Sequence, residues 1–301
     1  MSWRVSLDCT KAEAEALPDA GDLFPEIDNP PVIVAEEPDS AQPGVWRLHA
    51  YFDRQPGWDE LKALESLAAE SDPVIEQLDA STDWVTVSQA GLDPIRAGRF
   101  FVHTPIHYKD RPADAICFEI DAGLAFGTGQ HATTAGCLAA LDRLERDGKN
   151  FANVADIGTG TGLLAFAALA LWPQAKAIAT DIDPVAVEVS RDNAAINGMK
   201  LGHGAGELLL AVADGMDSAM LTARAPFDLL IANILAGPLI ELAPEFARSV
   251  APGANVILAG LLDTQADAVI AAYQAEGMSL VEGGDGEWSV LVFAAGEEAG
   301  S

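Results

Sequence analysis

The stretch that decides the fold is Val154-Ala-Asp-Ile-Gly-Thr-Gly-Thr-Gly-Leu-Leu-Ala-Phe-Ala-Ala-Leu-Ala-Leu171. Val154 to Ile157 is a short, mostly apolar run that ends in a glycine turn and reads as a buried strand. Leu163 to Leu171 is apolar on every side and long enough for a buried helix. Between them stand Gly158, Gly160 and Gly162, alternate residues that let the backbone turn sharply and let a ligand approach closely. A strand, a glycine turn and a helix in that order are the first unit of a parallel α/β sheet, with a binding site at the turn.

Working outward, the same rhythm repeats. Ala177 to Thr180 reads as the next strand, with Asp181 at its end. Asp183 before Pro184 is a helix N-cap, and the helix runs to Asn197 and stops at Gly198. Phe227 to Ala232 is a strand ending at Asn233, and Asn255 to Ala259 is another. Thr264 to Glu276 is a helix closed by Gly277. Met278 to Val281 and Trp288 to Phe293 are too close for a helical crossover, so they form a hairpin and make the sheet mixed. This region, 115–301, is one α/β domain.

Residues 1–83 read differently. Trp3–Asp8, Val32–Ala35 and Val45–Phe52 are strand-like, Thr10 caps a helix reaching Leu17, and Asp59 caps a second helix with Leu61, Leu64, Leu67 and Ala68 on one face. A small α+β sandwich fits. Residues 84–114 have weak periodicity, contain Pro94, Gly98, Pro105 and Pro112, and read as a connector that packs against both domains.

Charge narrows the partners. The chain of 301 residues has 17 Lys and Arg against 46 Asp and Glu, a net charge of -29. Such a surface repels a phosphate backbone and attracts basic partners, which argues against direct nucleic-acid binding. Residues 1–83 hold 5 basic and 19 acidic side chains, a net −14. Cys9, Cys117 and Cys137 form no CxxC pair, so the expectation is a reducing compartment and no metal. The longest apolar run, Leu163 to Trp172, is far short of the ~20 residues that span a bilayer. With no basic region leading into an apolar stretch at the N-terminus, the reading is cytoplasmic, without membrane contact, and monomeric by default.

Three motifs fall at strand ends, where open parallel sheets bind ligands. The glycine turn only partly fits a dinucleotide fingerprint: from Gly158 the third glycine would be residue 163, which is Leu163, and from Gly160 it would be Ala165, a permitted variant. Asp181 can accept from both hydroxyls of a ribose. Asn233 can accept an N–H from an incoming amine and aim its lone pair, or simply form a turn. A fourth motif, Asp121-Ala-Gly-Leu-Ala-Phe-Gly-Thr-Gly-Gln-His-Ala-Thr-Thr134, is a glycine-rich loop leading into a helix without the lysine of a P-loop.

Taken in order, Asp121–Thr134, Asp156–Gly162, Asp181-Ile-Asp-Pro184 and Ala232-Asn-Ile-Leu-Ala-Gly-Pro-Leu239 resemble the bacterial ribosomal protein L11 methyltransferases, over roughly Asp121 to Phe293. The resemblance implies a class I methyltransferase domain with a Rossmann-like, seven-stranded mixed sheet and a smaller ferredoxin-like N-terminal domain that holds the substrate. It implies S-adenosylmethionine as cofactor and methylation of lysine side chains and the N-terminal amine of that basic protein. The family's cofactor contacts fall on Thr134, Gly158, Asp181 and Asn233, with Phe126 and Gly160 nearby; Asn233 is also the candidate for orienting the amine. Gln130, Ala132, Thr159 and Thr161 depart from the residues frequent in the family, as does Ser88, where a tryptophan is usual. Methylation of another protein's lysine, a nicotinamide oxidoreductase and a silent nucleotide-binding module are the alternative readings.

Overall fold

The structure is a computed structural model that describes residues 2–15, 23–24, 31–36, 45–52, 54–68, 71–78, 94–120, 130–283 and 288–296. The chain divides into two compact units, Met1–Val87 and Ser88–Ser301.

In the first unit the succession is β1 (Ser2–Thr10), α1 (Lys11–Glu15), β2 (Val32–Glu36), β3 (Val45–Phe52), α2 (Trp58–Glu65) and β4 (Val74–Leu78). The strands pair antiparallel in the order β2-β3-β1-β4. This is the β-α-β-β-α-β succession of ferredoxin-like domains. Along β1 the side chains alternate: Val5, Leu7 and Cys9 join Leu48, Ala50, Phe52, Leu64 and Ala68 in one core, while Arg4, Ser6 and Asp8 face away from it. Thr10 caps α1 as its sequence suggests, with its hydroxyl accepting from the Glu13 N–H at 3.2 Å and Glu13 reaching back to the Thr10 N–H at 2.7 Å. Leu17 lies outside the described residues. Asp59 does not cap α2; it sits in the first turn, and Gly57 is the N-cap.

The second unit opens with a three-stranded sheet of β5 (Ile95–Ala97), β6 (Phe100–His103) and β7 (Ile116–Glu119), with a 3₁₀ turn at Pro105–Asp110. The breakers that suggested a connector sit in its turns: Gly98, at φ 54°, joins β5 to β6. Phe100, Val102 and Phe118 pack into the same core as Leu138 and Phe166. Ion pairs from Arg99 to Asp142 and Glu145 tie the sheet to α3 (Gln130–Arg146). The described part of the segment therefore packs as an integral layer of the α/β unit.

The main sheet is built from β8 (Asn153–Ile157), β9 (Lys176–Asp181), β10 (Lys200–Leu201), β11 (Glu207–Val212), β12 (Phe227–Asn233), β13 (Val250–Leu262), β14 (Ser279–Gly283) and β15 (Trp288–Ala294). Their order is β10-β11-β9-β8-β12-β13-β15-β14, parallel except that β15 is antiparallel to both neighbours. The sheet thus has eight strands rather than the expected seven, the extra one being the two-residue edge strand β10. α3, α4 (Leu163–Leu171) and α5 (Pro184–Ile196) cover one face. α6 (Ala219–Arg224), α7 (Ala236–Ser249) and α8 (Asp263–Ala275) cover the other. Both faces are buried in apolar clusters, which is why the parallel strands read as apolar runs.

Candidate functional site at the carboxyl ends of the strands

The glycine turn is held from below and left open above. Gly158, Gly160 and Gly162 have φ of 72°, 55° and 85°, a region side chains rarely adopt. The N–H groups of Gly158 and Thr159 both donate to the Thr180 carbonyl, at 2.8 and 2.9 Å, tying the turn to β9. Two fully buried residues of α5 take the turn's carbonyls: Ser190 Oγ donates to Gly160 at 2.8 Å and Asn193 Nδ2 to Thr161 at 3.1 Å. Asp183 caps α5, accepting from the Val185 N–H at 2.8 Å.

Asp156 bridges the turn. Its Oδ2 accepts from Thr159 Oγ1 at 2.7 Å and from the Ala165 N–H at 3.1 Å. Its Oδ1 is buried without a partner. Burial raises its pKa to about 6, the two donors opposing the shift and nearby Asp181 adding to it.

Asp181 ends β9 and is anchored at both oxygens: Oδ2 accepts from the Gly160 N–H at 2.9 Å and Oδ1 from the Asp183 N–H at 3.0 Å. Each carboxylate oxygen has a further lone pair to offer a ligand. Asn233 ends β12, and its Nδ2 donates to Thr134 Oγ1 of α3 at 3.4 Å. That donor assignment leaves the amide oxygen as an acceptor.

These elements surround one cavity of about 460 Å³. That volume lies within the range of small-molecule sites, ~300–1,000 Å³. Thr134, Gly158, Gly160, Asp181 and Asn233 all line it. Phe126 and the His131 side chain lie outside the described residues. The cavity also holds Asp214, which the sequence reading missed together with its strand, β11. The missed signal was the run Glu207-Leu-Leu-Leu-Ala-Val212 closing on Ala-Asp214-Gly. The mouth is apolar: Ile182 is 64% exposed and Leu235 73%.

The site fits an adenosine-bearing cofactor. A carboxylate anchored by backbone faces a glycine turn with no side chain at Gly160, where a Cβ would meet nothing within 4 Å. A second carboxylate, Asp214, stands at the next strand end, able to accept from an exocyclic amine.

Known proteins give the same picture. The family described as Ribosomal protein L11 methyltransferase (PrmA) matches residues 8–295. The ribosomal protein L11 methyltransferase of Brucella suis is 41% identical over 285 residues, covering 92% of this chain and 93% of the relative. That of Caulobacter sp. is 42% identical over 276 residues, 90% of each chain. Among solved structures, a ribosomal protein L11 methylase from Lactobacillus delbrueckii subsp. bulgaricus aligns with a TM-score of 0.57 and 27% identity, over 68% of this chain and all of its own.

Proposed function

The chain belongs to the ribosomal protein L11 methyltransferase family, and from that premise we propose that it transfers methyl groups from S-adenosylmethionine to lysine and N-terminal amines of ribosomal protein L11. The observation that carries this reading is the convergence of the glycine turn, Asp181 and Asn233 on one cavity. Family membership favours it over the nicotinamide alternative.

When bound, the cofactor supplies an electrophilic methyl on a sulfonium. The residues do the rest. Asp181 takes the ribose hydroxyls on a carboxylate already aligned by the N–H groups of Gly160 and Asp183. Asp214 accepts from the purine amine. Gly158 and Gly160 let the ligand lie against bare backbone. Asn233, its amide nitrogen engaged by Thr134, turns its oxygen to the N–H of the incoming amine and aims the nitrogen lone pair along the transfer line. Ile182 and Leu235 at the mouth receive the aliphatic stem of the lysine and shed water from around it. The amine loses its proton to water before it is sequestered.

The first unit, with its acidic excess, docks the basic substrate. A ribosomal-protein substrate implies work in the cytoplasm. Among the described residues no helix is long and apolar enough to cross a membrane. The test is to incubate the purified chain with S-adenosylmethionine and L11 and to read intact masses. Added methyl masses on L11 are expected, together with a melting-temperature rise on adding S-adenosylhomocysteine but not NAD. An unmodified L11 beside a methylated different protein would reassign the substrate. A melting temperature that responds only to NAD would overturn the reading.

A further inference from the structure

Asn233 stands at the end of β12, paired with Ala259 of β13 on one side, while β8 and its glycine turn flank β12 on the other. The residue after it, Ile234, is gripped from both sides. On the β13 side, the register with β15 slips between Leu258 and Leu261, and Gly260 inside that irregularity adopts φ 86°. A Cβ at Gly260 would stand 2.8 Å from the carbonyl carbon of Ile234 and 2.9 Å from its nitrogen. Those are backbone atoms and cannot swing aside. On the β8 side, a Cβ at Gly158 would overlap Cγ2 of Ile234. Ile234 therefore rests its peptide on one glycine, on β13, and its side chain against another, in the turn that follows β8.

We propose that Gly260 and Ile234 are positioning residues for Asn233, setting the peptide plane from which its amide is aimed. The proposal rests on the reading of Asn233 as the group that orients the amine. The consequence is a division of labour between two glycines. Gly260 does not line the cavity and bears on it only through the Ile234 peptide that follows Asn233, whereas Gly158 lines the cavity and faces the cofactor directly. A displacement of about 1 Å at a nucleophile-orienting group costs on the order of a hundredfold in rate.

The experiment compares Gly260→Ala with Gly253→Ala in the full-length protein. Both glycines are on β13 with positive φ, 86° and 74°, but nothing lies within 4 Å of a Cβ at Gly253. The second variant thus carries backbone strain without the close approach. The first readout is the side-chain amide resonance of Asn233, assigned by its loss in Asn233→Ala and recorded without cofactor or substrate. It should move in Gly260→Ala and stay in place in Gly253→Ala. The second is single-turnover methylation at saturating cofactor. Gly260→Ala should lose about ten- to a hundredfold, keep its S-adenosylhomocysteine affinity within about threefold, and cause no further loss in an Asn233→Ala background. Should Gly260→Ala fail to fold, Ile234→Ala removes the grip at Gly158 and should move the same resonance. An Asn233 resonance that shifts equally in Gly260→Ala and Gly253→Ala, or stays put in Ile234→Ala, would overturn the proposal. So would an equal loss of rate in wild-type and Asn233→Ala backgrounds. If the chain proves to methylate nothing, the resonance still decides the positioning claim by itself.

Discussion

Two carboxylates on the same sheet, Asp156 at the carboxyl end of β8 and Asp228 near the amino end of β12, are treated in opposite ways. Each oxygen of Asp228 accepts one backbone N–H, from Ala152 at 2.7 Å and Asn153 at 2.9 Å. Around it Asn153 donates to the carbonyls of Arg224 and Pro226 and accepts from the Arg224 guanidinium. Polar groups there are spent on joining strand to strand, although one guanidinium nitrogen of Arg224 stays buried without a partner. Asp156 puts both of its donors on one oxygen and leaves the other bare, at 1% exposure. Beside it three glycines hold left-handed conformations, and Asp181 and Asn233 present acceptors to a cavity. The amino end is built to be stable; the carboxyl end gives up stability to keep lone pairs and backbone available for a ligand.

The largest effect expected of that contrast is at Asp156. Its folded pKa, about 6, lies above its ordinary 3.8, so the folded state holds the proton more tightly than the unfolded chain. The stability this contributes is present below pH ~4 and is lost as pH rises through about 6. Relative to Asp156→Asn, the wild type should lose stability on the order of 3 kcal/mol between pH 4 and 7, at ~1.36 kcal/mol per unit. Denaturant melts of the two proteins across that range check this, and parallel curves would remove the contrast with Asp228.

Asn233→Ala should follow, with a single-turnover rate lower by about a hundredfold and cofactor affinity little changed. An unchanged rate would leave Asn233 as a turn residue. Asp181→Ala should weaken S-adenosylmethionine binding by about ten- to a hundredfold in calorimetry, from charge-assisted hydrogen bonds of ~1.5–3 kcal/mol each. Wild-type affinity would break the assignment of the ribose site. Asp228→Ala should do the reverse, costing about 1–3 kcal/mol of stability with cofactor affinity intact, because its partners are all within the protein. The smallest effect concerns the acidic first unit. The KM for L11 should rise a few-fold with salt as the Debye length falls from ~10 Å at 0.1 M to ~3 Å at 1 M. A KM indifferent to salt would remove electrostatic docking.

Most of the carboxyl end was legible in the sequence because its signals are local. A glycine turn needs its glycines in place, Asp183-Pro184 caps a helix by its own chemistry, and buried parallel strands are written as apolar runs. What was hidden depends on partners far away in the chain. β11 is a leucine-rich run with no alternation, recognisable as a strand only once β9 is known to lie beside it, and Asp214 was lost with it. β6 looked like a connector because prolines and Gly98 surround it; its identity comes from pairing with β7 and from Phe100 packing beneath. β4 was missed for a related reason, since Val74 and Ile75 are exposed and its register is supplied by β1. The grip on Ile234 was illegible altogether, because it joins residues 158, 234 and 260 through space.

The most direct test is the mass of L11 from cells that lack this chain. The account predicts that L11 loses its methyl groups in those cells, regains them with the wild-type chain, and regains far fewer with Asn233→Ala. L11 carrying the same methyl groups with and without the chain would contradict it.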